Sequence, residues 1–99
     1  MSPRKKFRRR YVVFESFTGE GGKEVLEKIV AICREAGMEE PRPRLIYFDL
    51  ATSRGLVRCG HKQVDLIKKK IRSDRIRILG VSGTIRAAKR KFLSSSPAS

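Results

Sequence analysis

Leu79-Gly80-Val81-Ser82-Gly83-Thr84-Ile85-Arg86-Ala87-Ala88-Lys89-Arg90-Lys91-Phe92-Leu93 is the stretch from which the architecture is worked out. It leaves an apolar, strand-like run, turns on two glycines and two hydroxyls, and continues with helical spacing. Ser82 or Thr84 can cap the first helical turn by accepting a bond from a free backbone N–H. Ile85, Ala88 and Phe92 then fall on one side, at i, i+3 and i+7. Arg86, Lys89, Arg90 and Lys91 take most of the remaining circumference. The stretch therefore predicts a strand followed by a short, basic, amphipathic helix lying on a sheet. Its charged side has two readings: a solvated face, as most such faces are, or a face offered to phosphates. The free amides after Gly83 are a second candidate phosphate site, unless Ser82 and Thr84 satisfy them internally.

Upstream of this stretch the chain alternates between strand and helix patterns. Tyr11 to Phe17 reads as a strand, with Val12 and Phe14 on one face and Tyr11, Val13 and Phe17 on the other. Lys23 to Ala36 reads as a helix with an apolar stripe of Val25, Leu26, Ile29, Val30, Ile32, Cys33 and Ala36, closed by Gly37. Leu45 to Leu50 is a second strand, Ala51 to Arg54 a hairpin connection, and Gly55 to Cys59 a brief third strand. A second helix runs from about Gln63 to Ile71, with Val64, Ile67 and Ile71 inward and Lys68, Lys69 and Lys70 outward. Arg75 to Val81 is the fourth strand.

The order strand, helix, strand, strand, helix, strand matches the split β-α-β plan. The expected fold is α+β, a ferredoxin-like, RRM-like βαββαβ four-stranded antiparallel sheet with an added C-terminal helix. Residues 11–93 form the domain, residues 1–10 a basic arm, and residues 94–99 a loose tail. Two helices cover one face of the sheet. The other is expected to show Tyr11, Val13, Leu45, Tyr47, Arg75, Arg77 and Leu79. That mixture is too apolar to stay wet, so the third helix is expected to cover part of it and a partner protein or RNA the rest.

The 99 residues suit one domain, which buries only about 60–65% of its unfolded surface. A net charge of +14 makes such a domain repel itself unless an anion neutralises it, and nucleic acid is the commonest such anion. No apolar run approaches the ~20 residues of a spanning helix, and no signal-peptide core follows the basic start. Lys5, Lys6, Arg8, Arg9 and Arg10 are candidate RNA contacts on charge alone, in a tract with little to bury. Cys33 and Cys59 lack any metal-ligand spacing and read as small buried hydrophobes in a reducing compartment.

Independent catalysis finds little support. His61 is the lone histidine. A Ser82–His61 pair with Asp49 or Asp65 lacks the G-x-S-x-G elbow. Asp49, Asp65 and Asp74 show no paired spacing, and Asp49 is expected to satisfy the hairpin or pair with an arginine. The third strand carries Arg54-Gly55 and then Leu56, Val57, Arg58 and Cys59, without the stacking aromatics of an RNA-recognition motif. Recognition by shape and phosphate is expected instead.

The chain resembles the archaeal ribonuclease P protein component 2 family. The similarity is carried by Gly80-Val81-Ser82-Gly83-Thr84-Ile85 and Lys89-Arg90-Lys91-Phe92-Leu93. It extends through Leu45-Ile46-Tyr47-Phe48-Asp49, Gly55-Leu56-Val57-Arg58 and Tyr11-Val12-Val13-Phe14, in the family's order over most of the chain. The short N-terminus and brief third strand depart from the family pattern. The resemblance implies a protein subunit of ribonuclease P, the enzyme that removes the 5′ leader of precursor tRNA. It implies that the RNA subunit performs the hydrolysis with Mg2+. It also implies association with protein component 3, with pairs of these heterodimers able to assemble. RNA contact is implied at Arg86, Lys89, Arg90 and Lys91. An archaeal cytoplasm is the expected setting. The rival classes are a ribosomal or RNA-packaging protein without processing activity, and a nuclease that works without RNA.

Overall fold

Four consecutive residues, Tyr11-Val12-Val13-Phe14, are all buried, which a strand achieves only when both faces of its sheet are covered. The structure, a computed structural model, describes residues 8–17, 21–71 and 75–93. Its elements are β1 (Arg9–Ser16), α1 (Gly22–Glu35), β2 (Arg44–Asp49), β3 (Arg54–Gly60), α2 (His61–Lys70), β4 (Ile76–Ser82) and α3 (Ile85–Ala88). A wider π-helical turn over Lys89–Leu93 continues α3. The strands pair antiparallel in the order β2-β3-β1-β4, which is the ferredoxin-like arrangement with an added C-terminal helix.

One face of the central strands meets α1 and α2. Val12, Phe14, Val57, Cys59 and Ile76 pack there against Val25, Ile29 and Cys33 of α1 and Ile67 of α2. Phe14 and Phe48 stack with ring centroids 6.0 Å apart, worth ~0.5–1.5 kcal/mol beyond their area. The opposite face holds Tyr11, Val13 and Leu56 beneath α3. Both cysteines are buried and free. Burial pushes the Cys33 thiol up. It pushes the Cys59 thiol to about 12, Cys33 reinforcing the shift and Arg10 opposing it.

The helix ends follow local chemistry. The Gly21 N–H donates to the Glu24 carboxylate at 2.9 Å, fixing the start of α1. Gly37, at φ 74°, takes the left-handed position that closes it, and Ala36 is exposed rather than part of the buried stripe. No loop separates β3 from α2. Gly60 ends the strand and caps the helix, and its N–H donates to Gln63 Oε1 at 2.8 Å. Gln63 is itself buried, and its Nε2 donates to the Met38 carbonyl at 2.6 Å.

Three sequence expectations are corrected. β1 starts at Arg9 rather than Tyr11, because Arg9 and Arg10 pair with Gly60 and Cys59. β3 is not brief: it spans seven residues, as Arg54 and Gly60 both join the ladder. Leu45 packs on the α1/α2 side and not on the other face, because the register shifts between Leu45 and Tyr47. The extra residue at that bulge sends Ile46 to the α3 side instead.

Candidate nucleic-acid interface

The basic surface is built on α3, and α3 is held by what lies beneath it. The Thr84 side chain accepts from the Ala87 N–H at 3.1 Å, and Ser82 Oγ sits 3.5 Å from the Thr84 N–H. The start of the helix is thus capped from within, and at four residues it offers no phosphate site of its own. Ile85, Ala88 and Phe92 face Tyr11, Val13, Leu56, Ile46 and Leu79. The tip of the Phe92 ring fills the space that a Cβ on Gly80 would occupy. Arg54 ties down the last turn: its Nη1 donates to the Phe92 carbonyl at 3.1 Å, while its Nε lies 3.7 Å from Glu15 Oε2. The second distance makes an ion pair but not a hydrogen bond.

With the apolar side pinned, the charged side is fixed outward. Arg86, Lys89, Arg90 and Lys91 are all exposed. The Lys89 ammonium stands 4.9 Å from the centroid of the Tyr47 ring, at cation–π range. Arg10 adjoins this surface. Its Nη1 donates to the Arg9 carbonyl at 2.9 Å and lies beside Gly83, at the entry to α3. Arg8 and Arg9 are exposed at the same end of β1. Arg8 is held there by two bonds, its carbonyl accepting from the His61 N–H at 2.8 Å and its N–H donating to His61 Nδ1 at 3.3 Å. Lys5 and Lys6 lie outside the described residues.

Sequence reading missed Arg54, Arg44 and Arg58. Arg54 reads as the end of a hairpin connection, and its contact with Phe92 spans 38 positions. Arg44 stands opposite Arg58, which stands opposite Tyr11, which stands opposite Ser82. Directly opposed residues share a face, so both arginines join the face that carries α3. Only strand pairing makes that row visible.

The groups weighed for catalysis are dispersed. Asp49 pairs with Arg54, and Arg54 with Glu15. Ser82 pairs with Tyr11, four residues back along β1, so Ser82 and Asp49 are separated by about 13 Å along the strand direction. Asp49 Oδ1 accepts from the Ala51 N–H at 2.9 Å, satisfying the hairpin as expected. Asp65 is exposed on α2. Among the described residues no three His, Cys, Asp or Glu side chains converge as metal ligands, and no helix is long and apolar enough to cross a membrane.

Comparison with known proteins agrees with this geometry. Residues 10–93 match the Rpp14/Pop5 family. Ribonuclease P protein component 2 of Pyrococcus horikoshii is 35% identical, over 95% of this chain and 90% of that protein. The component 2 of Pyrococcus furiosus is 34% identical with the same coverage. That of Methanocaldococcus jannaschii is 32% identical, over 94% of this chain and 78% of its own length. The matched span takes in all of the sheet but its first residue, together with the bulged edge and the pinned basic helix, and the chain belongs to the Rpp14/Pop5 family of ribonuclease P proteins.

Proposed function

We propose that this chain holds the RNA subunit of ribonuclease P in working shape during 5′-leader removal from precursor tRNA, while the RNA carries out the hydrolysis. The observation that carries the proposal is the outward set of Arg86, Lys89, Arg90 and Lys91 on a helix whose other side is locked to the sheet. Fixed cations of this kind position a phosphate backbone without reading sequence. Arg8, Arg9 and Arg10 extend the same contact from the start of β1, and Lys5 and Lys6 join the proposed RNA contacts on charge alone. Mg2+ belongs to the RNA in this reading and is not held by the chain. Protein component 3 is the proposed protein partner, in heterodimers that pair. The cytoplasm is the proposed setting, consistent with two free thiols.

Reconstitution tests this directly. Precursor tRNA, Mg2+, ribonuclease P RNA and component 3 are combined with and without the chain. Addition is expected to raise the rate of leader removal or to lower its Mg2+ requirement; no change in either counts against the proposal. Binding through ~6–10 phosphate contacts should weaken about 10³–10⁵-fold between roughly 50 and 200 mM salt. A flat salt response would instead indicate a protein-binding role.

A further inference from the structure

We propose that Arg42, Arg44 and Arg58 form a second phosphate-binding groove, at the β2 edge of the sheet, that takes the RNA backbone beyond the reach of α3. The inference rests on the reading that the chain holds RNA. Arg44 and Arg58 are directly opposed in the β2–β3 ladder, so two like charges stand side by side. That arrangement is unfavourable by itself and becomes favourable when an anion lies between them. Among the described residues, none of the three arginine side chains has an ion pair or hydrogen bond. Together they rim an open cavity of about 320 Å³, the lower end of the size range of small-ligand sites.

Arginine suits phosphate because its planar fork meets two oxygens at once. Leu26, Leu45 and Ile46 supply apolar lining at the same cavity, matching the uncharged sugar of a nucleotide. The groove wraps the β2 edge: Leu26 and Leu45 reach it from the α1/α2 side, while Arg44 and Arg58 stand in the row that runs through Tyr11 to Ser82, just before α3. Arg42 and Pro43 also line a smaller neighbouring cavity, and that one carries Glu39 and Glu40. Continuity with the cations of α3 favours RNA over an acidic protein segment as the occupant.

The test uses a fluorescent single-stranded RNA oligonucleotide, titrated against the full chain at several salt concentrations. R42Q/R44Q/R58Q is expected to weaken binding about 10- to 100-fold near 0.1 M salt and to lower the salt slope by about 2, at ~0.7 per lost contact. R42K/R44K/R58K keeps the charges and should restore the slope. If the triple Gln variant does not fold, by circular dichroism, Arg44→Gln alone is expected to lower the slope by about 0.7. Unchanged affinity and slope in folded variants would overturn the groove. So would groove-dependent binding of a polyglutamate peptide with RNA binding unaffected, which would make the occupant a protein. A wild-type chain that binds the oligonucleotide in this way yet adds nothing to leader removal would defeat the ribonuclease P role and leave the groove standing.

Discussion

The tip of the Phe92 ring occupies the place where a side chain at position 80 would stand, so Gly80 and Phe92 form a two-part lock between β4 and the turn after α3. Gly80→Ala forces the ring out and should destabilise the chain by about 1–3 kcal/mol through overpacking. Phe92→Ala removes a half-buried ring and should cost about 2 kcal/mol. The double variant should lose clearly less than the sum, because each change removes what the other disturbs. Urea unfolding of the four proteins checks this; strict additivity would show that the two residues do not meet.

Arg54 holds the same turn from below, through the Phe92 carbonyl and Glu15. Its side chain is partly exposed, so Arg54→Met should cost only about 1 kcal/mol globally. The larger effect is local. Amide hydrogen exchange in α3 should speed up while α1 stays protected, since the last helix opens without the rest of the domain. Arg54→Lys should behave like the Met variant, because a single ammonium cannot reproduce the fork. Wild-type exchange in α3 of either variant would contradict the contact.

Gln63 is buried with both ends of its amide engaged, by the Gly60 N–H and the Met38 carbonyl. Gln63→Leu keeps most of the volume but strips a buried N–H, that of Gly60, and a half-buried carbonyl, that of Met38, of their partners. It should cost about 2–4 kcal/mol by denaturant unfolding. Gln63→Glu keeps the acceptor for Gly60 and loses the donor to Met38. A Leu variant as stable as wild type would mean that the amide contributes nothing.

The Cys59 thiol is pushed from its ordinary value of 9.0 up to about 12, first by burial and then by Cys33. Between those values the folded chain retains a proton that the unfolded chain releases. Stability is therefore intact below pH 9.0 and falls as pH rises toward about 12. The fall approaches ~1.4 kcal/mol per pH unit for one such group. Cys59→Ala should flatten the thermal-unfolding profile over that range. A wild-type profile already flat there would show that the thiol is accessible to water.

The sequence made the two helical stripes, the helix–sheet order and the amphipathic α3 legible, because each rests on a period that runs through several residues. Ile85, Ala88 and Phe92 could be assigned to one face before any strand was paired. What alternation misplaced lies at bulges. The shift between Leu45 and Tyr47 sends Leu45 to the α1/α2 side, and the shift between Val13 and Phe14 lets Val81 pack there as well. A one-residue insertion inverts every following side chain, and nothing in the residue types announces it. The Arg44–Arg58 opposition and the Arg54–Phe92 bond were illegible for another reason. Each joins residues distant in sequence, and their chemistry exists only once β2 lies against β3.

Gly60 is at once the last residue of β3 and the cap of α2, so the chain has no slack where the sheet hands over to the second helix. Adding residues there would drag Gln63 off Met38 and turn His61 away from Arg8 in one stroke. The hairpin tip at Ala51 to Ser53, by contrast, is where a tag or a cut-and-rejoin design should be tolerated. For anyone engineering this family, the seam and the tip set opposite rules within ten residues of each other.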